Sequence, residues 1–326
     1  GQTMTYTRPW LSYVQQLQQL KDRGMQVSDD AAALKALEQF GYYRLSAYWY
    51  PFRQKIFDAK GRVSGVTDDF IPNTELKDSV QLYLFDKKLR LLLLDALERI
   101  EIALRVDVAH LLGRLDTFAH TKQDKLHRSF ANKAKGSGKP TAFNAWNQKR
   151  IYVEARSKED FVEHYKAHHG PDLPIWVAVE TWDFGALSQL FAMMKVKHQT
   201  QIARKYGVPD WEAFQSWLRS LNYLRNICAH HSRLWNRNII DQPSLPGSGA
   251  LLWLDQLRSS GLTDDELKSR PFLLVAICRH MVLQLNPSSE WHNRVRKHLD
   301  EFPSVASDYK ISIEAMGAPS SWHTWW

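Results

Sequence analysis

One short stretch of the chain, residues 225–230, carries side chains that are suited to cleaving RNA. An imidazole such as that of His230 can take the proton from a ribose 2′-hydroxyl or return one to the leaving oxygen. The guanidinium of Arg225 can hold the scissile phosphate, and the amide of Asn226 can orient either group. These candidate catalytic residues use only their own side chains, so the chemistry calls for no metal ion and no cofactor.

The apolar period around this stretch predicts one helix from residue 211 to about 235. On a helical wheel Phe214, Trp217 and Leu221 share the arc that faces the core, and Arg225 lies at its border. The opposite arc holds only Arg, Asn and His, and a face without acidic residues attracts phosphate groups. Its members are Arg219, Asn222, Asn226, His230 and Arg233. A polar helix surface whose histidine has only structural partners would show the same pattern, and the residues alone leave both interpretations open.

Two further segments are candidates for RNA contact. The polar stretch 132–150 predicts an exposed basic loop. Its candidate RNA-binding residues are Lys133, Lys135 and Lys139. Arg44 is a further candidate because it lies in the aromatic segment 42–49, and an arginine among rings often serves an anion. The aromatic residues of that segment could stack on bases, but their helical spacing favours a place in the core.

Other histidines offer weaker candidates. His164 and His168 have the i, i+4 spacing that can bind a metal, but no cluster of carboxylates or cysteines completes a site. A surface role is therefore favoured for them. His231 falls on the inner side of the wheel and is predicted to pack, with assistance to His230 as the alternative.

The composition is that of a globular protein with an excess of positive charge. Apolar residues make up 44% and charged residues 24%, which excludes disorder over most of the length. Lys and Arg number 43 against 35 Asp and Glu, which favours a polyanionic partner, although an indifferent basic surface would have the same balance. The two cysteines imply no disulfide framework, and no apolar run reaches the roughly 20 residues of a membrane span. No signal-peptide pattern is visible, so the cytoplasm is the expected location.

The elements that must position these residues are almost all helices. Long segments repeat apolar residues every three or four positions and few alternate with the period of a strand, so we predict an all-α fold. The strongest helix is expected over 74–112, and residues 53–72 are expected to form a loop or a small hairpin. We predict an N-terminal helical region, a helical core and a C-terminal helical region with an aromatic tail. They span residues 1–72, 73–242 and 243–326.

Several segments, in the same order along the chain, resemble abortive-infection proteins of the AbiD/AbiF type. Residues 42–49 read YYRLSAYW, where that family has YYRLSGYW. Residues 224–231 read LRNICAHH and resemble the family's HEPN ribonuclease block. The other matching segments are 85–90, 98–101, 174–176, 184–188 and 316–319. The resemblance covers nearly the whole chain.

The resemblance implies a HEPN-type helical bundle with additional terminal helices. It also implies metal-free RNA cleavage in which His230 is the acid and base, Arg225 holds the phosphate and Asn226 positions them. The expected role is phage defence by abortive infection, or the toxin of a toxin–antitoxin system. A non-catalytic RNA-binding protein on the same scaffold is the alternative.

Partners follow from the same resemblance. HEPN sites usually combine two motifs across a dimer, so the single motif here predicts a homodimer with a composite active site. A toxin needs a neutralising partner, and we expect a structured RNA rather than a protein.

Overall fold

The structure is a computed structural model that describes residues 4–326. Helices form 61% of it, and the strands described in this range belong to one two-stranded sheet. The predicted all-α class is therefore confirmed. Within the same range, no helix has the length and the apolar character needed to cross a membrane.

The chain forms two compact units. The described residues of the first unit are 4–89 and 297–315, and those of the second are 90–296 and 316–326. The three regions expected from the sequence stay a prediction about domain organisation.

Three helices, a hairpin and parts of two further helices make up the first unit. The helices are α1 (Tyr13–Asp22), α2 (Asp30–Phe40) and α3 (Tyr42–Trp49), and the strands are β1 (Arg53–Phe57) and β2 (Val63–Phe70). The two helices that contribute residues to both units are α4 (Leu76–Leu115) and α15 (Trp291–Asp300). The first helix begins at a complete capping box, in which Ser12 and Gln15 each accept the backbone N–H of the other.

The aromatic segment 42–49 forms α3 and packs largely in the core of the first unit, as its spacing predicts. Trp49 is fully buried. Tyr48 is also buried, and its hydroxyl donates to the carboxylate of Asp86 at 2.6 Å. Arg44 lies on the exposed side of the same helix.

Residues 53–72, expected to be a loop or a small hairpin, form an antiparallel hairpin. Arg53 pairs with Phe70 at its open end. Asp58 fixes the turn, because its carboxylate accepts the backbone N–H of Arg62 at 2.9 Å.

The long helix α4 buries the apolar stripe predicted for it. The buried members are Leu82, Phe85, Leu89, Leu93, Ala96, Ile100 and Leu104. Two acid–base pairs at i, i+4 spacing form along it: Asp95 with Arg99 at 3.0 Å, and Glu101 with Arg105 at 3.6 Å.

Most helices belong to the second unit. They are α5 (Arg128–Asn132), α6 (Ala142–Arg156), α7 (Asp160–His169), α8 (Ile175–Ala178), α9 (Phe184–Met193), α10 (Val196–Lys205), α11 (Trp211–Ala229), α12 (Leu252–Arg258), α13 (Asp264–Lys268) and α14 (Pro271–Leu285). α11 packs against α9, α10 and α14. The aromatic tail joins this unit, since the rings of Trp322, Trp325 and Trp326 lie about 6 Å from that of Phe272.

One helix of this unit begins where the sequence predicts a loop. α6 starts at Ala142, inside the stretch 132–150, because the Thr141 side chain caps it by accepting the N–H of Asn144. Its polar composition conceals the helical pattern. Two residues on its buried face, Arg150 and Glu154, are charged and bond each other at 2.6 Å.

Candidate active site

The candidate catalytic residues lie at the C-terminal end of α11. Asp210 caps the start of this helix, because its carboxylate accepts the N–H of Glu212 at 2.9 Å. The arc predicted to face the core is buried along the whole helix: Phe214, Trp217, Leu221, Leu224 and Cys228. On the opposite side Arg219 and Asn226 are exposed, and Asn222 and Arg225 are half-buried. The predicted division of this helix into two faces is confirmed.

The end of α11 differs from its predicted end near residue 235. The helix stops at Ala229, and His230 and His231 form its cap. The N–H of Ser232 donates to the Ile227 carbonyl at 3.0 Å, and that of His231 to the Cys228 carbonyl at 3.3 Å. This pair of bonds is a Schellman motif, which needs a left-handed residue just past the cap.

His231 supplies that left-handed conformation, with φ 58°. Glycine is the usual residue there, and histidine is one of the few others that adopt it. The turn is also held from outside, because the Arg90 guanidinium donates to the Ser232 carbonyl at 3.1 Å. The position of His230 is therefore fixed by the backbone geometry of the turn that follows it.

Two predicted positions change because the helix ends early. His231 is exposed, so the prediction that it packs inside was wrong. Arg233 lies beyond the helix and cannot share its polar face. It is half-buried, and its guanidinium donates to the side chain of Asn236.

The three candidate catalytic residues remain together. The Arg225 guanidinium donates to the Asn226 amide oxygen at 3.4 Å, and the backbone N–H of His230 donates to the Asn226 carbonyl at 3.0 Å. Both Asn226 and His230 are exposed. The arrangement leaves an amide, an imidazole and part of a guanidinium open to solvent within one helical turn.

The polar face is not free of acidic residues, although the sequence predicted that it would be. α11 itself carries the exposed Glu212 two turns before Arg219, and two more acidic residues come from other elements. Glu101 of α4 is the first. Burial raises the pKa of its carboxyl, and the positive charges of Arg105 and Arg225 act in the opposite direction. Arg225 is thus within electrostatic reach of a half-buried carboxyl group, which analysis of a single helical wheel does not reveal.

Asp183 is the second acidic residue. It caps α9 by accepting the N–H of Ala186 at 2.8 Å. A Cβ atom at Gly185 would lie 3.4 Å from the Asp183 carboxylate and 3.3 Å from the amide nitrogen of Asn222. The absent side chain at Gly185 therefore lets the start of α9 approach the middle of the polar face closely.

The chain turns back along α11 after His231. The Ser220 hydroxyl donates to the Asp241 carbonyl at 2.7 Å, and the Trp217 indole N–H donates to the Ser244 carbonyl at 3.0 Å. The backbone N–H of Ser244 in turn donates to the Ser216 hydroxyl at 2.7 Å. We call residues 239–244 the return segment.

The family model described as Abi-like protein matches residues 35–236, which is more than half of the chain. This chain belongs to the Abi-like family. The match includes the aromatic segment of α3 and the whole of α11 with its cap. No curated protein and no solved structure matches the chain. Membership indicates a role in abortive infection and thus in phage defence.

The Abi-like chain brings some of the predicted RNA-binding residues together. Lys133, Lys135 and Arg219 line one cleft of about 600 Å³ in the second unit. Lys139 is exposed on the same loop but does not line the cleft, and Arg44 belongs to the first unit.

Several residues of the cleft were missed by sequence analysis. Lys149, Gln189 and Trp211 also line it. Lys149 fell in the stretch predicted as a loop, and the other two lie on helices whose relative packing no local pattern specifies.

The histidines of α7 in this Abi-like chain lie beside one another with their rings tilted. The rings of His164 and His168 lie 4.1 Å apart, and Nδ1 of His168 is 2.8 Å from the His164 carbonyl. Within residues 4–326, no group of three or more His, Cys, Asp and Glu side chains has the arrangement of a metal site.

Proposed function

We propose that this Abi-like chain is a HEPN endoribonuclease that acts in abortive infection, as a toxin that cleaves RNA without a metal ion. The observation that supports this most is the group of Arg225, Asn226 and His230 at the C-terminal turn and cap of α11, where Asn226 and His230 are exposed and Arg225 is half-buried. The guanidinium has an amide rather than a carboxylate as its hydrogen-bond partner in this group, so donors remain for a phosphate.

The proposed reaction starts with the ribose 2′-hydroxyl of the substrate. Its oxygen attacks the adjacent phosphorus while a base removes the proton, and the bond from phosphorus to the 5′-oxygen breaks as an acid protonates that oxygen. His230 supplies the imidazole for proton transfer. Arg225 stabilises the charge that grows on the phosphate oxygens, and Asn226 orients both groups. The products carry a 2′,3′-cyclic phosphate and a 5′-hydroxyl.

One imidazole cannot serve as base and acid at the same moment, which supports a homodimer with a composite site. Exposed apolar residues on α4 are consistent with such an interface. Ile102 is 48% exposed and Val106 is 58% exposed, one turn apart and beside Glu101. Light scattering should give the mass of a dimer at the concentrations that support cleavage.

A toxin of this kind also needs restraint. The net charge of +8 supports a structured RNA rather than a protein as the neutralising partner. Such an RNA would occupy the basic surfaces that the substrate needs.

The test compares wild type, Arg225→Ala and His230→Ala in a bacterial host, with growth and RNA ends as readouts. His169→Ala is the matched control, because His169 is an equally exposed histidine outside the site. We expect wild type and the control to stop growth and to generate new 5′-hydroxyl RNA ends, whereas the two site variants do neither.

Two results would refute the mechanism: RNA ends that carry a 5′-phosphate, or cleavage that stops on chelation of divalent cations. If all four proteins bind RNA and none cleaves it, the chain is a non-catalytic RNA-binding protein. The cleft lined by lysines supports this second candidate, because it would serve binding without cleavage.

A further inference from the structure

A basic cleft separate from the catalytic group lies between α6, α9 and α11. Its volume is about 600 Å³. The residues that define it chemically are Phe130, Lys133, Lys135, Lys149, Trp211 and Arg219. All belong to the second unit.

The charge of the cleft indicates an anionic ligand. Its three lysines and Arg219 are all exposed, and none of the four forms an ion pair with a carboxylate in the part of the chain that the structure describes. Arg219 donates one bond to the Gln242 carbonyl at 3.4 Å. The lining contains one acidic side chain, Glu212. Four cations held together against one carboxylate attract a polyanion.

The aromatic rings of the cleft favour single-stranded nucleic acid over other polyanions. The rings of Phe130 and Trp211 lie 5.9 Å apart at 40°, and both are half-buried, so each keeps an accessible edge or face. Cations beside aromatic rings are the combination that binds single-stranded nucleic acid, since phosphates take the charge and bases stack. An acidic peptide would use the charges but not the rings.

The cleft is continuous with the polar face of α11. Gln189 of α9 lines it, and one helical turn earlier Gly185 of α9 lies against Asn222. Arg219, Asn222 and Asn226 then follow one another along one side of α11. From Arg219 to His230 the helix rises about 16 Å at 1.5 Å per residue. That distance corresponds to about five phosphates of a stacked strand at 3.4 Å each.

We propose that this cleft binds single-stranded RNA about five nucleotides from the phosphate that is cleaved. Lys133, Lys135, Lys149 and Arg219 hold the backbone, and Trp211 stacks on a base. This inference rests on the proposed nuclease function for the position of the scissile phosphate, but binding in the cleft can be measured independently of cleavage.

The test measures binding of a fluorescent 12-nucleotide single-stranded RNA to the full chain by anisotropy at several salt concentrations. Lys149→Glu is compared with Lys158→Glu, an equally exposed lysine outside the cleft. We expect Lys149→Glu to weaken binding about tenfold and to lower the salt dependence by roughly one counterion. Lys158→Glu should bind as wild type does.

A second variant tests stacking without a change of charge. Trp211→Ala should weaken binding about 5- to 100-fold, and Trp211→Phe should restore most of it. A 12-mer that carries 4-thiouridine should crosslink to Trp211 or Phe130 on irradiation, and circular dichroism confirms that each variant is folded.

The outcomes distinguish failure of the cleft proposal from failure of the nuclease proposal. If Lys149→Glu, Trp211→Ala and Lys158→Glu all bind the 12-mer as wild type does, the cleft assignment is overturned, even where RNA is still cleaved. Preference for a poly-glutamate peptide over the RNA would also overturn it, in favour of an acidic protein partner. If the cleft variants lose binding but wild type never cleaves, the cleft stands and the nuclease proposal fails.

Discussion

Two groups in the second unit combine an arginine and a histidine, in opposite surroundings. Arg150, Glu154 and His120 are all at least nine-tenths buried. The Arg150 guanidinium donates to the Glu154 carboxylate at 2.6 Å, so its charge is satisfied within the chain. Arg225 and His230 instead lie on the polar side of α11, where the Arg225 guanidinium donates to the amide oxygen of Asn226.

The histidines show what this difference means for chemistry. Burial, together with the positive charge of Arg150, lowers the pKa of His120 to about 3. Its ring therefore stays neutral at physiological pH and cannot donate a proton to a leaving group there. The buried group lines a cavity of about 740 Å³, yet its charges are already paired. Residue types alone do not distinguish a reactive group from a structural one; the surroundings do.

The largest expected effect separates the two histidines by activity. His230→Ala should slow single-turnover RNA cleavage by about 10²- to 10⁴-fold, the usual contribution of general acid–base catalysis. His120→Phe should cleave at the wild-type rate per folded molecule. Comparable losses in both variants would mean that the buried group takes part in the reaction.

The next effect separates the two arginines by stability. Glu154→Ala leaves the buried Arg150 charge unpaired and should lower the free energy of unfolding by about 3–5 kcal/mol in urea titrations. Asp95→Ala is the matched control, because Asp95 pairs with Arg99 at the same i, i+4 spacing in an exposed position. That change should cost less than about 1 kcal/mol. Equal costs would show that the Arg150–Glu154 pair is not shielded from water.

A smaller expected effect is the dependence of the free energy of unfolding on pH that His120 confers. Its pKa falls from 6.5 to about 3 on folding, so between these values the unfolded chain binds a proton that the folded chain does not. The contribution of His120 to the free energy of unfolding is therefore complete above pH 6.5. It decreases as the pH falls, by up to about 1.4 kcal/mol per pH unit.

The measurement is urea unfolding at pH 6.5 and 5.0. Wild type should lose up to about 2 kcal/mol more than His120→Phe over this interval, by the same linkage. Burial raises the pKa of Glu154, which has the opposite sign, but Glu154 is present in both proteins and its effect largely cancels. If the free energy of unfolding changed with pH by the same amount in both proteins, the lowered pKa assigned to His120 would be wrong.

The smallest effect concerns the turn that fixes His230. His231→Gly should raise the free energy of unfolding by up to about 1 kcal/mol, because glycine adopts positive φ without steric cost. His231→Val should lower it by more than about 1 kcal/mol, since a β-branched residue is strained there. Thermal unfolding resolves both changes. If His231→Gly also abolished cleavage, the imidazole of His231 would have a chemical role that the present assignment gives to His230.

Local patterns predicted the elements whose buried faces are apolar and continuous. The stripe of α4 and the inward arc of α11 are of this kind. The strands of the hairpin at residues 53–72 are mostly exposed, so the sequence predicted only a loop or a small hairpin there. Prediction failed where the deciding residue was unusual for its position. The cap of α11 uses His231 instead of glycine, so the helix was expected to continue, and the charged buried face of α6 resembled a solvated loop.

The surroundings of the candidate site depended on packing between distant segments. Glu101 and Gly185 reach the polar face of α11 from two other helices, and no spacing within one helix places them there. The three candidate catalytic residues could be named from sequence because they lie on a single turn. The cleft could be named only in part, because its walls come from three helices.

The return segment constrains the length of the chain more than its composition. Ser216, Trp217 and Ser220 bind backbone groups of residues 241 and 244, so these bonds depend on where the backbone lies and not on the side chains of those two residues. Insertion or deletion of one residue between the Schellman turn and Asp241 would shift every one of these partners out of register. Each buried polar group left without a partner costs about 1–3 kcal/mol. Relatives that share this helix should therefore have the same number of residues in this stretch.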